Sequence, residues 1–122
     1  LKAQVIKLHY HQKSKIMDVY FEDDSMYGLS AEFLRVFSPS AQAKSQSTPV
    51  AHKKDIAIDG VVPIGNYAVR LIFSDNHQSG LYSWDYLQEI AQNQQTLWQQ
   101  YLEKLEHANA NRDTQIPIQF KP

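Results

Sequence analysis

Two histidines two positions apart, His9 and His11 in LHYHQ, are the first residues whose spacing could do chemistry. On a strand, residues i and i+2 point to one face, so both imidazoles could chelate a single metal ion. The plainer assignment puts Val5, Lys7, His9 and His11 on the solvated face of an antiparallel strand and turns Ile6, Leu8 and Tyr10 toward the core. His77 lies in SDNHQSG beside Asp75 and Asn76, where side-chain to backbone bonding already accounts for the Asp and Asn as turn formers. A catalytic His77 would need a nucleophile and an orienting group. The sequence offers no G-x-S-x-G elbow, no cysteine and no paired-carboxylate signal. A metal site of His77, Asp75 and a distant histidine such as His52, holding zinc or iron, is the alternative.

Composition narrows the choices further. The 122 residues suffice for one domain with a single core. Twelve Lys and Arg against 13 Asp and Glu give no field that would draw the chain to nucleic acid or anionic lipid. Tyr67, Phe73, Tyr82, Trp84 and Tyr86 could form a base-stacking platform, but only Arg70 interleaves with them, so they read as core. The four glycines match neither a dinucleotide-binding nor a P-loop spacing. The absence of cysteine removes disulfides, thiolate nucleophiles and thiolate metal sites. No apolar run approaches the roughly 20 residues of a membrane span, and a cytoplasmic location is the default expectation.

The elements that must carry these residues can be read from periodicity. VIKLHYH and KIMDVYF alternate around QKSK and predict a β-hairpin, followed by a turn at EDDSMYG. LSAEFLRVF predicts a short helix with Ser30 as N-cap, Glu32 in the first turn and Leu29 stapled onto Leu34, ended by Ser38-Pro39. SAQAKSQSTPVAHKKD, without period, reads as a long exposed loop. Two extended runs around Gly65-Asn66 and a short one at GLYSW supply further strands. From Ser83 a helical stripe of Leu87, Ile90, Leu97, Tyr101 and Leu105, widened by Trp98 and Leu102, predicts one long C-terminal helix. The rest is a polar tail in which Ile116, Ile118 and Phe120 could form an arm, and no internal repeat is evident. The expected fold is α+β: an antiparallel β-rich core, one short helix, and a long C-terminal helix packed on the sheet. Residues 1–105 make the domain and 106–122 the tail.

LRVFSPSA (Leu34 to Ala41) and PIGNYAVRLIFSDNHQSGLYSWDYL (Pro63 to Leu87), with the spacing between them, resemble a family of small bacterial domains of unknown function similar to the N-terminal domain of gamma-butyrobetaine hydroxylase. The resemblance spans about residues 5–90 and implies an α+β domain. In the hydroxylases it implies a module that precedes a separate iron- and 2-oxoglutarate-dependent catalytic domain and binds structural zinc through three cysteines and a histidine. His77 matches that histidine, whereas the cysteine segment reads SPSAQAK, with Ser38, Ser40 and Ala43 offering no thiolate. Hydrogen bonds from His77 to the Ser38–Ser40 segment would tie the same two loops together as a polar substitute for the zinc. The His-x-Asp of the catalytic domain is absent, so hydroxylase activity is not carried over.

The expectation is therefore a non-enzymatic accessory or protein-binding module without cofactor, contacting a protein partner rather than nucleic acid or membrane. Its expected surface is Ser38, Pro39, Ser40, Lys53, Lys54, Asn76 and His77. Two alternatives stand beside it: a metal-binding protein using His77, and, from family copies fused to P-loop ATPases, an accessory factor in iron–sulfur or metal-cofactor handling.

Overall fold

A computed structural model describes residues 3–44, 49–78 and 80–113. Val5–His11 (β1), Ile16–Phe21 (β2) and Met26–Ser30 (β3) form an antiparallel sheet in the order β1-β2-β3. The short helices Ala31–Val36 (α1) and Pro39–Lys44 (α2) follow. Ile58–Ile64 (β4), Ala68–Phe73 (β5) and Leu81–Ser83 (β6) form a second antiparallel sheet, β4-β5-β6, which leads into Trp84–Gln92 (α3) and Gln94–His107 (α4). The α+β, β-rich expectation holds, but the strands make two sheets and the helices number four among the described residues.

The two sheets repeat one plan, which sequence periodicity alone did not reveal. Each is a hairpin plus a third strand that ends in a serine capping the next helix. Ser30 Oγ accepts from Phe33 N at 3.0 Å, and Ser83 Oγ accepts from Tyr86 N at 3.1 Å. The turns before β3 and β6 match bond for bond. Phe21 N donates to Ser25 O and Asp24 N to Phe21 O, just as Phe73 N donates to His77 O and Asn76 N to Phe73 O. Asp23 and Asp75 each accept a bond from the amide two residues on, and Asp24 and Asn76 both take φ near +70° (69° and 68°). Asp and Asn tolerate that left-handed conformation better than most residues.

Each repeat also carries an extra residue in its first strand. Val5 pairs with Phe21 but Lys7 with Tyr20, so Ile6 is unmatched; Ile58 pairs with Phe73 but Gly60 with Ile72, so Asp59 is unmatched. The first bulge corrects the expected alternation. Val5 turns inward and is buried, Ile6 is thrown out to 63% exposure, and beyond it Leu8 and Tyr10 face the core while His9 and His11 stay outside. Met26–Gly28, expected as turn, extend β3: Tyr27 pairs with Val19 and Leu29 with Met17, so the strand buries Leu29.

Inner faces of both sheets meet in one core, with Met17, Val19, Phe21 and Leu29 from one and Val69, Leu71, Phe73 and Tyr82 from the other, capped by Leu34 of α1 and Leu87 and Ile90 of α3. Leu29 and Leu34, the expected staple, are both fully buried. Pro39–Lys44, expected as loop, is helical because proline at a first helical position has its φ preset and gives up an N–H that would be orphaned anyway.

The long C-terminal helix is broken once, at Asn93 (φ −111°, ψ 17°), whose side-chain amide donates to Glu89 O at 2.8 Å and competes with the backbone for that carbonyl. The expected tail is tied down as far as Asp113. Arg112 grips the buried Glu32 carboxylate through two 2.8 Å bonds and stacks 5.2 Å from the Trp98 ring, and its carbonyl accepts from Lys54 N. The arm residues Ile116, Ile118 and Phe120 lie outside the described residues.

These burials set an expected order of costs. Leu87→Ala, at a site 2% exposed, should cost about 2–5 kcal/mol in urea unfolding. Trp98, expected in the buried stripe, is only partly buried, so Trp98→Ala should cost less than Leu87→Ala. A near-neutral Leu87→Ala would contradict the packing of α3 against both sheets.

Candidate functional site

The residues from Val36 to Ser40 come together at the end of α1 with the turn from Phe73 to Gln78 and with Gly80. Ser38 is fully buried, a position where a hydroxyl needs a hydrogen-bond partner. Its Oγ lies 2.8 Å from His77 Nε2 and 3.2 Å from Ser40 Oγ, and Ser40 Oγ lies 3.1 Å from the same nitrogen. The expected polar bonds between the SPS segment and the His77 turn are thus present, as a three-atom cluster. Gly80 makes room for it: its φ is +95°, and a Cβ there would stand 3.0 Å from Ser40 N and 3.1 Å from Ser38 Oγ.

Asp75 holds the turn from its other side. Its Oδ2 accepts from Arg35 Nε at 2.9 Å and Lys53 Nζ at 2.8 Å, and its Oδ1 accepts from the His77 amide at 3.1 Å. Burial works to raise this carboxyl, but Lys53, the His77 amide and Arg35 outweigh it and hold it down at about 2. Above the cluster, the Tyr82 hydroxyl donates to Leu34 O and the Tyr86 hydroxyl to Phe37 O at 2.5 Å. Both carbonyls belong to the end of α1, where the helix supplies no partner of its own. Burial raises both phenols, Tyr86 to about 12, so each stays a neutral donor.

This arrangement is poorly suited to catalysis. Ser38 Oγ sits against a histidine nitrogen, yet with no exposed surface it cannot meet a substrate. Asp75 touches the His77 backbone rather than the ring nitrogen a triad would need oriented. The site fits the family's zinc no better, because hydroxyls at Ser38 and Ser40 replace thiolates and the described residues include no cysteine.

The alternative metal set is not brought together. His52 Nδ1 is bonded to Asp113 O at 2.9 Å, and Asp75 is taken up by two cations. Of the expected surface, Lys53 belongs to the Asp75 cluster, Asn76 is an exposed turn residue, Pro39 opens α2, and Lys54 is exposed, 3.9 Å from Asp113 Oδ1. The side chain of Ala43 lies outside the described residues. Tyr82 is core as expected, while Tyr67 is exposed. Sequence reading missed Arg35, Gly80, Tyr82 and Tyr86 as parts of this site. A glycine three residues after a turn histidine was a usable signal for Gly80; nothing local marks Arg35. Among the described residues, no helix is long and apolar enough to cross a membrane.

Two outcomes follow from the geometry. Because the folded Asp75 carboxyl lies below its unfolded value of about 3.9, its contribution is full above that value and is lost as pH falls toward about 2. Asp75→Asn should therefore cost about 1–3 kcal/mol at neutral pH and flatten the loss of stability across that acid window in melts recorded from pH 2 to 7. Gly80→Ala should cost at least roughly 1–2 kcal/mol from its backbone alone, and more if the cluster opens. An unchanged midpoint would refute the close approach.

The sequence profile described as gamma-butyrobetaine hydroxylase-like, N-terminal, matches residues 8–88. No curated protein matches. Two solution structures determined by NMR are similar over nearly the whole chain. One has 41% identity and a TM-score of 0.80, covering 99% of this chain and 93% of its own; the other has 38% identity and a TM-score of 0.80, covering 97% and 96%. A crystal structure of a protein of unknown function from Acidithiobacillus ferrooxidans, assigned to the DUF971 family, has 34% identity and a TM-score of 0.61, covering 72% of this chain and 92% of its own. With its profile matched across both sheets, the chain belongs to the gamma-butyrobetaine hydroxylase-like N-terminal domain family.

Proposed function

We propose that the chain is a non-enzymatic accessory module acting through protein contact, and that the His77 cluster replaces a zinc clip to keep its contact loops in one shape. The observation that carries this reading is the convergence of two hydroxyls on His77 Nε2, one of them fully buried. Polar groups there satisfy one another instead of being presented to a substrate. The exposed rim of the cluster, Lys54, Asn76 and Gln78, would form the contact surface. A clip of hydrogen bonds keeps that rim in place without a metal and without a thiol.

Two measurements test the two halves of the proposal. Protein treated with a strong chelator should keep its spectrum and a cooperative melt, whereas His77→Ala should lower stability by about 1–3 kcal/mol through the loss of a partner for a buried hydroxyl. Unfolding by chelator would reverse the metal-free reading. For the contact, a partner cross-linked in the native cell to the wild-type chain should be lost with Lys54→Glu and Gln78→Glu, while the melt is unaltered. Retention of the partner by both variants would displace the surface, and turnover of a substrate by the isolated chain would overturn the non-enzymatic reading.

A further inference from the structure

The outer face of the first sheet gathers a second set of chemically capable residues, well apart in sequence from the His77 cluster. His9 and His11 alternate on β1, and Asp18 is the direct cross-strand neighbour of His9 on β2. Their ligand atoms lie within 4.8 Å of one another, with the His9 and His11 rings 4.3 Å apart and His11 Nε2 2.7 Å from Asp18 Oδ2. Two imidazoles and a carboxylate are a nitrogen–oxygen donor set suited to borderline divalent ions. We infer that His9, His11 and Asp18 form a binding site for a divalent transition ion of the zinc, nickel or copper class, distinct from the His77 cluster and independent of the function proposed above.

Three features support this site. Access is open, since the His11 side chain is 41% exposed and that of Asp18 17%, leaving further coordination positions to water or a ligand. Ligands about 2.0–2.1 Å from a tetrahedral ion stand roughly 3.3 Å apart. The 2.7 Å His11–Asp18 hydrogen bond therefore has to open by about 0.6 Å as the ion displaces its proton. Space for that adjustment exists, because the next residue in the row is Gly28, whose missing Cβ would sit 3.3 Å from Asp18 Oδ1. Gly28 also lines a groove of about 470 Å³ with Ile16, Ser30 and Trp98, so the site opens beside a concave surface.

The repeat supplies an internal control. The row equivalent to His9, Asp18 and Gly28 in the second sheet is Val62, Arg70 and Leu81. The fold therefore tolerates quite different residues in this row, and nothing in the shared architecture calls for two histidines and an aspartate. The bulge at Ile6 keeps both imidazoles on the solvent side although Val5 turns inward.

The test uses the full chain without a polyhistidine extension, stripped of metal and titrated with Zn²⁺ by calorimetry while the histidine ring signals are followed by NMR. One ion should bind per chain, shifting the His9 and His11 signals and leaving those of His52 and His77 in place. His9→Gln and Asp18→Asn should each weaken binding by at least about 10-fold, whereas His107→Gln should leave it unchanged. Because the ligands are on an outer face, metal-free variants should melt as the wild type does. Zn²⁺ should raise the melting midpoint of the wild type but not of His9→Gln. Absence of saturable binding, equal affinity in both ligand variants, or a shift confined to His77 would each overturn the site.

Discussion

Burying the hydroxyl of Ser38 commits the rest of the fold. A fully buried oxygen at the end of α1 needs a partner, and the partner, His77, comes from the other half of the chain. The same junction uses Tyr82 and Tyr86 to satisfy carbonyls that α1 leaves open at Leu34 and Phe37, and Arg35 of α1 reaches Asp75 beneath the turn. One helix end is thus completed by groups from a turn, a strand and a helix that follow it by about 40–50 residues, a separation whose closure entropy only a cooperative core can offset. That core is shared by both sheets.

The repeated turn explains how the junction arises from ordinary parts. In the first repeat the turn ends at Ser25, half-buried and bonded to Asp23; in the second the same backbone presents His77 to Ser38 and Ser40. Aspartate at the second turn position caps its own turn in both copies. Only Asp75 is also flanked by Arg35 and Lys53, so an element that is merely local in one repeat becomes a long-range tie in the other. The outer faces diverge in the same way, histidines and aspartate on one sheet and Val62, Arg70 and Leu81 on the other. Shared architecture has been given two different chemistries.

What the sequence by itself determined was local. Ser30 as N-cap, the alternation of β2, the helical period of Leu87 and Ile90, and the turn at Asp75-Asn76 depend on neighbours within a few residues, and all are found in the structure. The pairing of the SPS segment with His77 was legible only through likeness to a zinc site, since no spacing rule links residues 37 and 39 positions apart. Tertiary structure decided the rest. Ile6 faces solvent because a bulge inserts it, Met26–Gly28 became strand because Leu29 pairs into the core, and α4 was set off from α3 by the amide of Asn93. Arg112 acquired a role because Glu32, buried at the start of α1, needed a cation that local sequence could not supply. The physical reason is common to these cases: propensity and capping act within one turn or strand, whereas burial and pairing depend on which distant surface arrives, and that is settled only when both sheets close on one core.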